Sequence, residues 1–249
     1  SASISLKVPG NEAKQYPLTF QKTKNDKSAY QLEASERIPL TVYQTIEEKG
    51  GKSQITVCIT ALEDVYFNYS QQVSTGFRHD DCQFYMPGFW YRRNLRSPKS
   101  APHFILRIVG WCVKIVSTPL TGIYSEGTKR FMTVNRIDQF ENDALTTHRE
   151  GEVILSGKTS LGFTGFENRN GIATLSFGFP YQEAPKSYIR KLTLAPQVKA
   201  FQLLKKGETV LLNWTIFEDA AEDYSDFIRH TWEYCYDTYA PSLLILPIQ

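Results

Sequence analysis

Ile38-Pro-Leu-Thr-Val-Tyr-Gln-Thr-Ile46 and Gln54-Ile-Thr-Val-Cys-Ile-Thr60 flank the segment Glu47-Glu-Lys-Gly-Gly-Lys52. Both flanks alternate apolar and polar residues, the period of two that sends successive side chains to opposite faces of a strand. The paired glycines supply the positive φ that a hairpin connection needs, so the stretch reads as two antiparallel strands.

The same texture continues on either side. Upstream lies Ile4-Ser-Leu-Lys-Val8. Downstream are Val65-Tyr-Phe-Asn-Tyr-Ser70, Ile105-Leu-Arg-Ile-Val109, Gly110-Trp-Cys-Val-Lys-Ile-Val116 and Arg130-Phe-Met-Thr-Val-Asn-Arg136. Gly151-Glu-Val-Ile-Leu155, Gly171-Ile-Ala-Thr-Leu-Ser-Phe-Gly-Phe179 and Leu192-Thr-Leu194 follow, then Val198-Lys-Ala-Phe-Gln-Leu203 and Thr209-Val-Leu-Leu-Asn-Trp-Thr-Ile-Phe217. Lys205-Lys-Gly-Glu208 is a turn between the last two, which predicts a second hairpin there. Strands joined by Gly, Pro and Asn turns over most of the chain predict an all-β fold of two large packed antiparallel sheets.

One segment breaks the pattern. In Asp223-Tyr-Ser-Asp-Phe-Ile-Arg-His-Thr-Trp-Glu-Tyr-Cys-Tyr-Asp-Thr-Tyr-Ala-Pro241, the residues Tyr224, Phe227, Ile228, Thr231, Trp232, Cys235, Tyr236 and Tyr239 recur at steps of three and four. That spacing predicts a helix over about 221–239, with this stripe docked on the sheets and Trp232 buried in the contact. Acids from Glu218 to Asp226 suit its positive end, and Pro241 marks its stop.

Composition bounds the function classes. A net charge of +2 over 249 residues gives no bulk basicity to propose nucleic acid as a partner. Aromatics at 13% suit strands and also sugar-stacking platforms. Cys58, Cys82, Cys112 and Cys235 are widely spaced, without a C-x-x-C pair, so they read as free thiols with neither a metal nor a redox cofactor implied. No apolar run reaches the length of a membrane span. The opening Ser-Ala-Ser reads as a processed end, which leaves cytoplasmic and secreted locations open.

Phe84 to Phe104 carries the best candidate site. Pro87, Gly88, Pro98 and Pro102 forbid a continuous strand or helix, and between Phe84 and Arg107 there are four Arg, one Lys and no acid. Trp90, Tyr91, Arg92, Arg93, Asn94, Arg96 and His103 combine stacking faces with charged donors, a combination that recognises a sugar or an acidic group. The competing reading has Phe89 and Trp90 anchoring the loop while the arginines pair with acids of an adjoining domain. Glycosidic cleavage normally needs two flanking carboxyl groups, and the loop has none.

Elsewhere, Gly76-Phe-Arg-His-Asp-Asp81 places His79 beside Asp80 and Asp81, either as an oriented base or as a polar turn after a strand. His230 reads as a solvated helix residue. Gly157-Lys-Thr-Ser160 ends like a phosphate loop, but its upstream Gly151 sits one residue too far away. Nucleophile-elbow, zincin and dinucleotide motifs do not occur, so serine-hydrolase, zincin and nucleotide-dependent readings lose their usual support.

The Met86-Pro-Gly-Phe-Trp-Tyr91 loop, the Thr174-Leu-Ser-Phe-Gly-Phe-Pro180 stretch, the strand ending Asn213-Trp-Thr-Ile-Phe217 and the acidic helix with Tyr224, Phe227, Ile228, Arg229 and Trp232 together resemble a known family. They look like the N-terminal supersandwich, galactose mutarotase-like in fold, of bacterial six-hairpin glycosidases. The resemblance implies a supersandwich over 1–218 and a linker helix over 219–249 leading to an (α/α)6 catalytic domain. It implies a non-catalytic role here, with the Met86–Asn94 loop bordering the sugar site of that partner domain. No catalytic residue carries over, because the family's carboxylates lie in the helical barrel. An autonomous carbohydrate-binding module is the alternative, and a sandwich enzyme using His79 with Asp80 or Asp81 a further one.

Overall fold

The computed structural model describes residues 1–23, 28–88, 90–93, 111–112, 120–137, 150–183, 186–187, 194–195 and 197–239. Among them the chain forms β1 (Ala2–Lys7), β2 (Lys14–Lys22), β3 (Ala29–Ala34), β4 (Leu40–Lys49), β5 (Lys52–Ala61), β6 (Val65–Arg78), β7 (Cys82–Met86), β8 (Trp90–Arg92) and β9 (Trp111–Cys112). Next come β10 (Leu120–Ser125), β11 (Arg130–Arg136), β12 (Gly151–Ile154), β13 (Phe163–Arg169), β14 (Ile172–Phe179), β15 (Gln182–Glu183), β16 (Lys186–Ser187) and β17 (Leu194–Ala195). The series closes with β18 (Val198–Leu204), β19 (Thr209–Ala220) and one helix, α1 (Tyr224–Tyr239).

The β4–β5 hairpin forms as its sequence dictates, pairing Leu40 with Ala61 and Lys49 with Lys52. Gly50 and Gly51 take φ of 58° and 73° at its tip, a region where a side chain is strained. From β5 the first layer runs antiparallel through β19, β11, β10 and β7 to β8. The second layer runs antiparallel from β9 through β13, β14, β6 and β1 to β2. β3 carries the ladder from β2 into β4 and so joins the two layers. The start of β6 also takes β18, which adds β15 and, in parallel, β12.

The layers meet in one apolar core. Phe84 of β7 stacks on Phe166 of β13 at 4.5 Å, and Trp214 of β19 sits 4.9 Å from Phe177 of β14. Thr121 of β10 donates to Thr164 of β13 at 2.9 Å. This is the two-sheet antiparallel sandwich that the period-two pattern predicts, with the C-terminal helix that the steps of three and four predict.

Both faces of β10 and β11 are buried, because α1 covers the side turned away from the core. Along β11, Met132 and Val134 enter the inter-sheet core while Phe131 turns to the helix. Gly122 lets the helix come close: a Cβ there would meet Phe227 at 2.6 Å. Lys52 lies over the Phe217 and Tyr234 rings at the hairpin end of this contact.

Three expectations need correction. The turn at Lys205–Glu208 exists, with Glu208 N–H bonded to Lys205 O, but β18 and β19 do not form a hairpin. Gly207 N–H and Glu208 O instead bond Ala61 at the end of β5, so β18 joins the second layer and β19 the first.

The helix face is also rotated from the predicted stripe. Tyr224, Phe227, Thr231, Tyr234 and Cys235 are buried, whereas Trp232 is 47% and Tyr236 57% exposed. At roughly 100° per residue, Tyr234 lies about 60° from Thr231 at the centre of the contact, while Trp232 lies about 100° and Tyr236 about 140° away. The predicted stripe was too wide for one flat sheet to cover.

His230, expected to be solvated, is half-buried, with its ring 5.9 Å from Phe131.

Candidate functional site

Pro87 and Gly88 do interrupt the strand, but as the turn of a tight hairpin. β7 and β8 pair Phe84 with Arg92, Tyr85 with Tyr91 and Met86 with Trp90. Alternation then sorts the candidate residues. Trp90 faces the core at 7% exposure, edge-on to Phe166 at 5.6 Å, with its indole N–H donating to Arg92 O. It anchors the hairpin, as the competing sequence reading expected. Tyr91 points the other way and is 53% exposed. Its hydroxyl accepts the Gly88 N–H at 3.0 Å, and its ring lies 5.5 Å from Tyr85.

Arg92 is exposed and has a φ of 53°, unusual for a residue with a side chain. Its N–H donates to the Tyr224 hydroxyl at 3.0 Å, and its guanidinium lies over the Tyr224 ring at 5.4 Å. Burial pushes the Tyr224 hydroxyl up to about 12, which keeps it protonated, and it donates to Phe84 O at 2.9 Å. Arg93 is turned back. It donates to Asp80 O at 3.0 Å and to Cys82 O at 3.4 Å, and lies 3.7 Å from Glu126. Asn94, Arg96 and His103 lie outside the described residues, as does the side chain of Phe89.

Sequence reasoning missed two contributors, Trp232 and Tyr236, by assigning them to the docked face. The Trp232 indole lies near the Tyr85 hydroxyl, so Tyr91 and Trp232 both adjoin Tyr85, and Tyr236 follows one turn along the helix. Three aromatic rings are thus exposed, Tyr91 on the hairpin and Trp232 and Tyr236 on the helix, and the Arg92 guanidinium lies over Tyr224 at the helix start. Flat faces beside charged donors can stack on a ring and bond its substituents. The exposure of Trp232 and Tyr236 was latent in the helical angle and could have been read from it.

The His79 segment is a 3-10 turn, His79–Asp81. His79 is buried, with its ring 5.1 Å from Phe84, and burial lowers its pKa against the opposing charge of Asp80. Asp80 pairs with Arg78 at 2.6 Å. Asp81 accepts the Ser125 hydroxyl at 2.6 Å and Gly127 N–H at 2.8 Å, which ties the β10–β11 turn to this segment. These contacts are those of a polar turn. Among the described residues no group of three His, Cys, Asp or Glu gathers as a metal set.

No protein-family model and no curated protein matches the chain. Among solved structures it is similar to a polysaccharide lyase at 12% identity and a TM-score of 0.44, over 93% of this chain and 27% of the lyase. It is similar to the GH36 alpha-galactosidase AgaB from Geobacillus stearothermophilus at 9% identity and a TM-score of 0.47, over 88% of this chain and 30% of that one. A galactose mutarotase-like protein from Clostridium acetobutylicum matches at 10% identity and a TM-score of 0.39, over 87% of this chain and 75% of that one. The chain thus spans under a third of the lyase and of the galactosidase.

Proposed function

We propose that this chain is the non-catalytic N-terminal β-sandwich of a carbohydrate-active enzyme, a glycoside hydrolase, in which it supports a helical catalytic domain and lends its β7–β8 region to the sugar cleft. The carbohydrate part of this reading rests on the sequence resemblance to the N-terminal supersandwich of six-hairpin glycosidases. The observation that carries the location is the exposure of Tyr91 on the hairpin and of Trp232 and Tyr236 on the helix that meets it. In this reading Tyr91 and Arg92, with Asn94, Arg96 and His103, face the ligand. Trp90 and Arg93 hold the loop that presents them.

The test is the parent reading frame and its activity. Several hundred residues of paired helices following Gln249, with glycoside hydrolysis lost on substituting carboxylates in that part, would support the reading. A stop codon near Gln249 would remove it. An autonomous carbohydrate-binding module is the second reading, favoured by the exposure of Tyr91 and Trp232. It predicts saturable quenching of tryptophan fluorescence when residues 1–249 alone are titrated with soluble oligosaccharides.

A further inference from the structure

Phe84 and Arg92 face each other across the β7–β8 hairpin, and a side chain from a different element is bonded to both. The Tyr224 hydroxyl, from the first turn of α1, accepts the Arg92 N–H at 3.0 Å and donates to Phe84 O at 2.9 Å. Both polar functions of the hydroxyl are therefore used on one cross-strand pair. Among the described residues of this hairpin, Arg92 is also the one, other than glycine, whose φ is positive. A left-handed conformation costs a residue with a Cβ and persists only where the surroundings hold it. Here those surroundings are the hydroxyl on the Arg92 amide and the Tyr224 ring beneath its guanidinium, beside the Trp90 indole N–H on the Arg92 carbonyl.

We propose that Tyr224 is a positioning residue of the candidate site, a latch through which helix α1 sets the conformation of the β7–β8 hairpin at its Phe84–Arg92 end. The proposal rests on the reading of this hairpin as part of the ligand-facing region and names what holds it. The latch keeps Arg92 left-handed. That turn of the backbone holds Tyr91 outward, with its hydroxyl on the Gly88 amide. Because α1 carries both the latch at Tyr224 and the exposed rings of Trp232 and Tyr236, the helix couples the Arg92 end of the hairpin to those rings.

The test is nuclear magnetic resonance on the whole chain with Tyr224→Phe, which keeps the ring and removes the hydroxyl. The three-bond coupling between the amide and α protons of residue 92 reports its φ. It should move to the extended range, and exchange of the Gly88 amide should quicken about ten-fold or more. Amides of β5 and β19 serve as the control for the fold and should not change. An unchanged coupling and unchanged Gly88 exchange, with the fold control intact, would overturn the proposal.

Adding Arg92→Gly to Tyr224→Phe should return Gly88 exchange towards the original rate, since glycine adopts a positive φ without the steric cost that a side chain brings. Continued fast exchange in the double variant would also overturn it. Should Tyr224→Phe fail to fold, Arg92→Gly alone keeps the latch and must keep Gly88 protected. Loss of protection there counts against the proposal. None of these readouts involves a sugar, so failure here and failure of the carbohydrate reading are separate results.

Discussion

The ring of Phe227 lies so close to the α-carbon of Gly122 that a methyl group at 122 would come within 2.6 Å of it. Phe227 cannot easily yield, because it is fully buried among Tyr85, Tyr124, Phe131 and Tyr224. The docking of α1 on the first layer therefore depends on a residue without a side chain in β10. Gly122→Ala should destabilise the protein by about 1–3 kcal/mol through overpacking. Urea unfolding measures this, and an unchanged midpoint would show that the helix does not sit as close as described.

The rotated helix face makes opposite predictions for two large aromatics. Phe227→Ala removes a ring with no exposed surface and should cost about 3–5 kcal/mol. Trp232→Ala removes a ring that is 47% exposed and should cost under about 1 kcal/mol. Equal losses in thermal or urea unfolding would restore the wider docked stripe.

Cys82 and Cys235 are buried free thiols, and burial pushes both up to about 12, helped at Cys82 by the Asp81 and Asp80 charges. Since the thiolate is the reacting species, both should resist iodoacetamide near neutral pH in the folded protein and react after unfolding. Mass spectrometry of labelled peptides reads this out. Labelling of either in the native state at the rate of a free thiol would contradict the described packing.

Asp226 is held below the ordinary carboxylate value of 3.8 by the Glu222 N–H and by Arg229. A carboxyl whose folded value is depressed stabilises the fold above its unfolded value and loses that contribution as pH falls through the folded one. Acidification below about pH 4 should therefore fray the start of α1 first. Amide exchange over 224–228 should show this pH dependence in the native protein and lose most of it in Asp226→Asn. An equally strong dependence in the variant would assign the effect to other groups.

What was legible in the sequence was local. The glycine pair at 50 and 51 between two alternating runs marks a hairpin because turn and strands are contiguous. The turn at Lys205–Glu208 is just as visible, but turn chemistry does not say which strand comes next to it, and Ala61 claims it from across the sheet. Trp90 and Tyr91 looked equivalent as loop aromatics. They separate into anchor and exposed face only once Trp90–Arg92 is known to be a strand. The bonds from Tyr224 to Phe84 and Arg92 leave no trace in the sequence, since they join a side chain to distant backbone. The part of the candidate site at Asn94, Arg96 and His103 lies outside the described residues.

The most direct measurement of the central claim is the Michaelis constant of the proposed parent glycoside hydrolase for an oligosaccharide, with and without Tyr91→Ala. If Tyr91 is part of a cleft wall that binds but does not react, the variant should raise KM about ten-fold and leave kcat unchanged, the signature of lost uniform binding. An unchanged KM, or hydrolysis by residues 1–249 alone, would contradict the account.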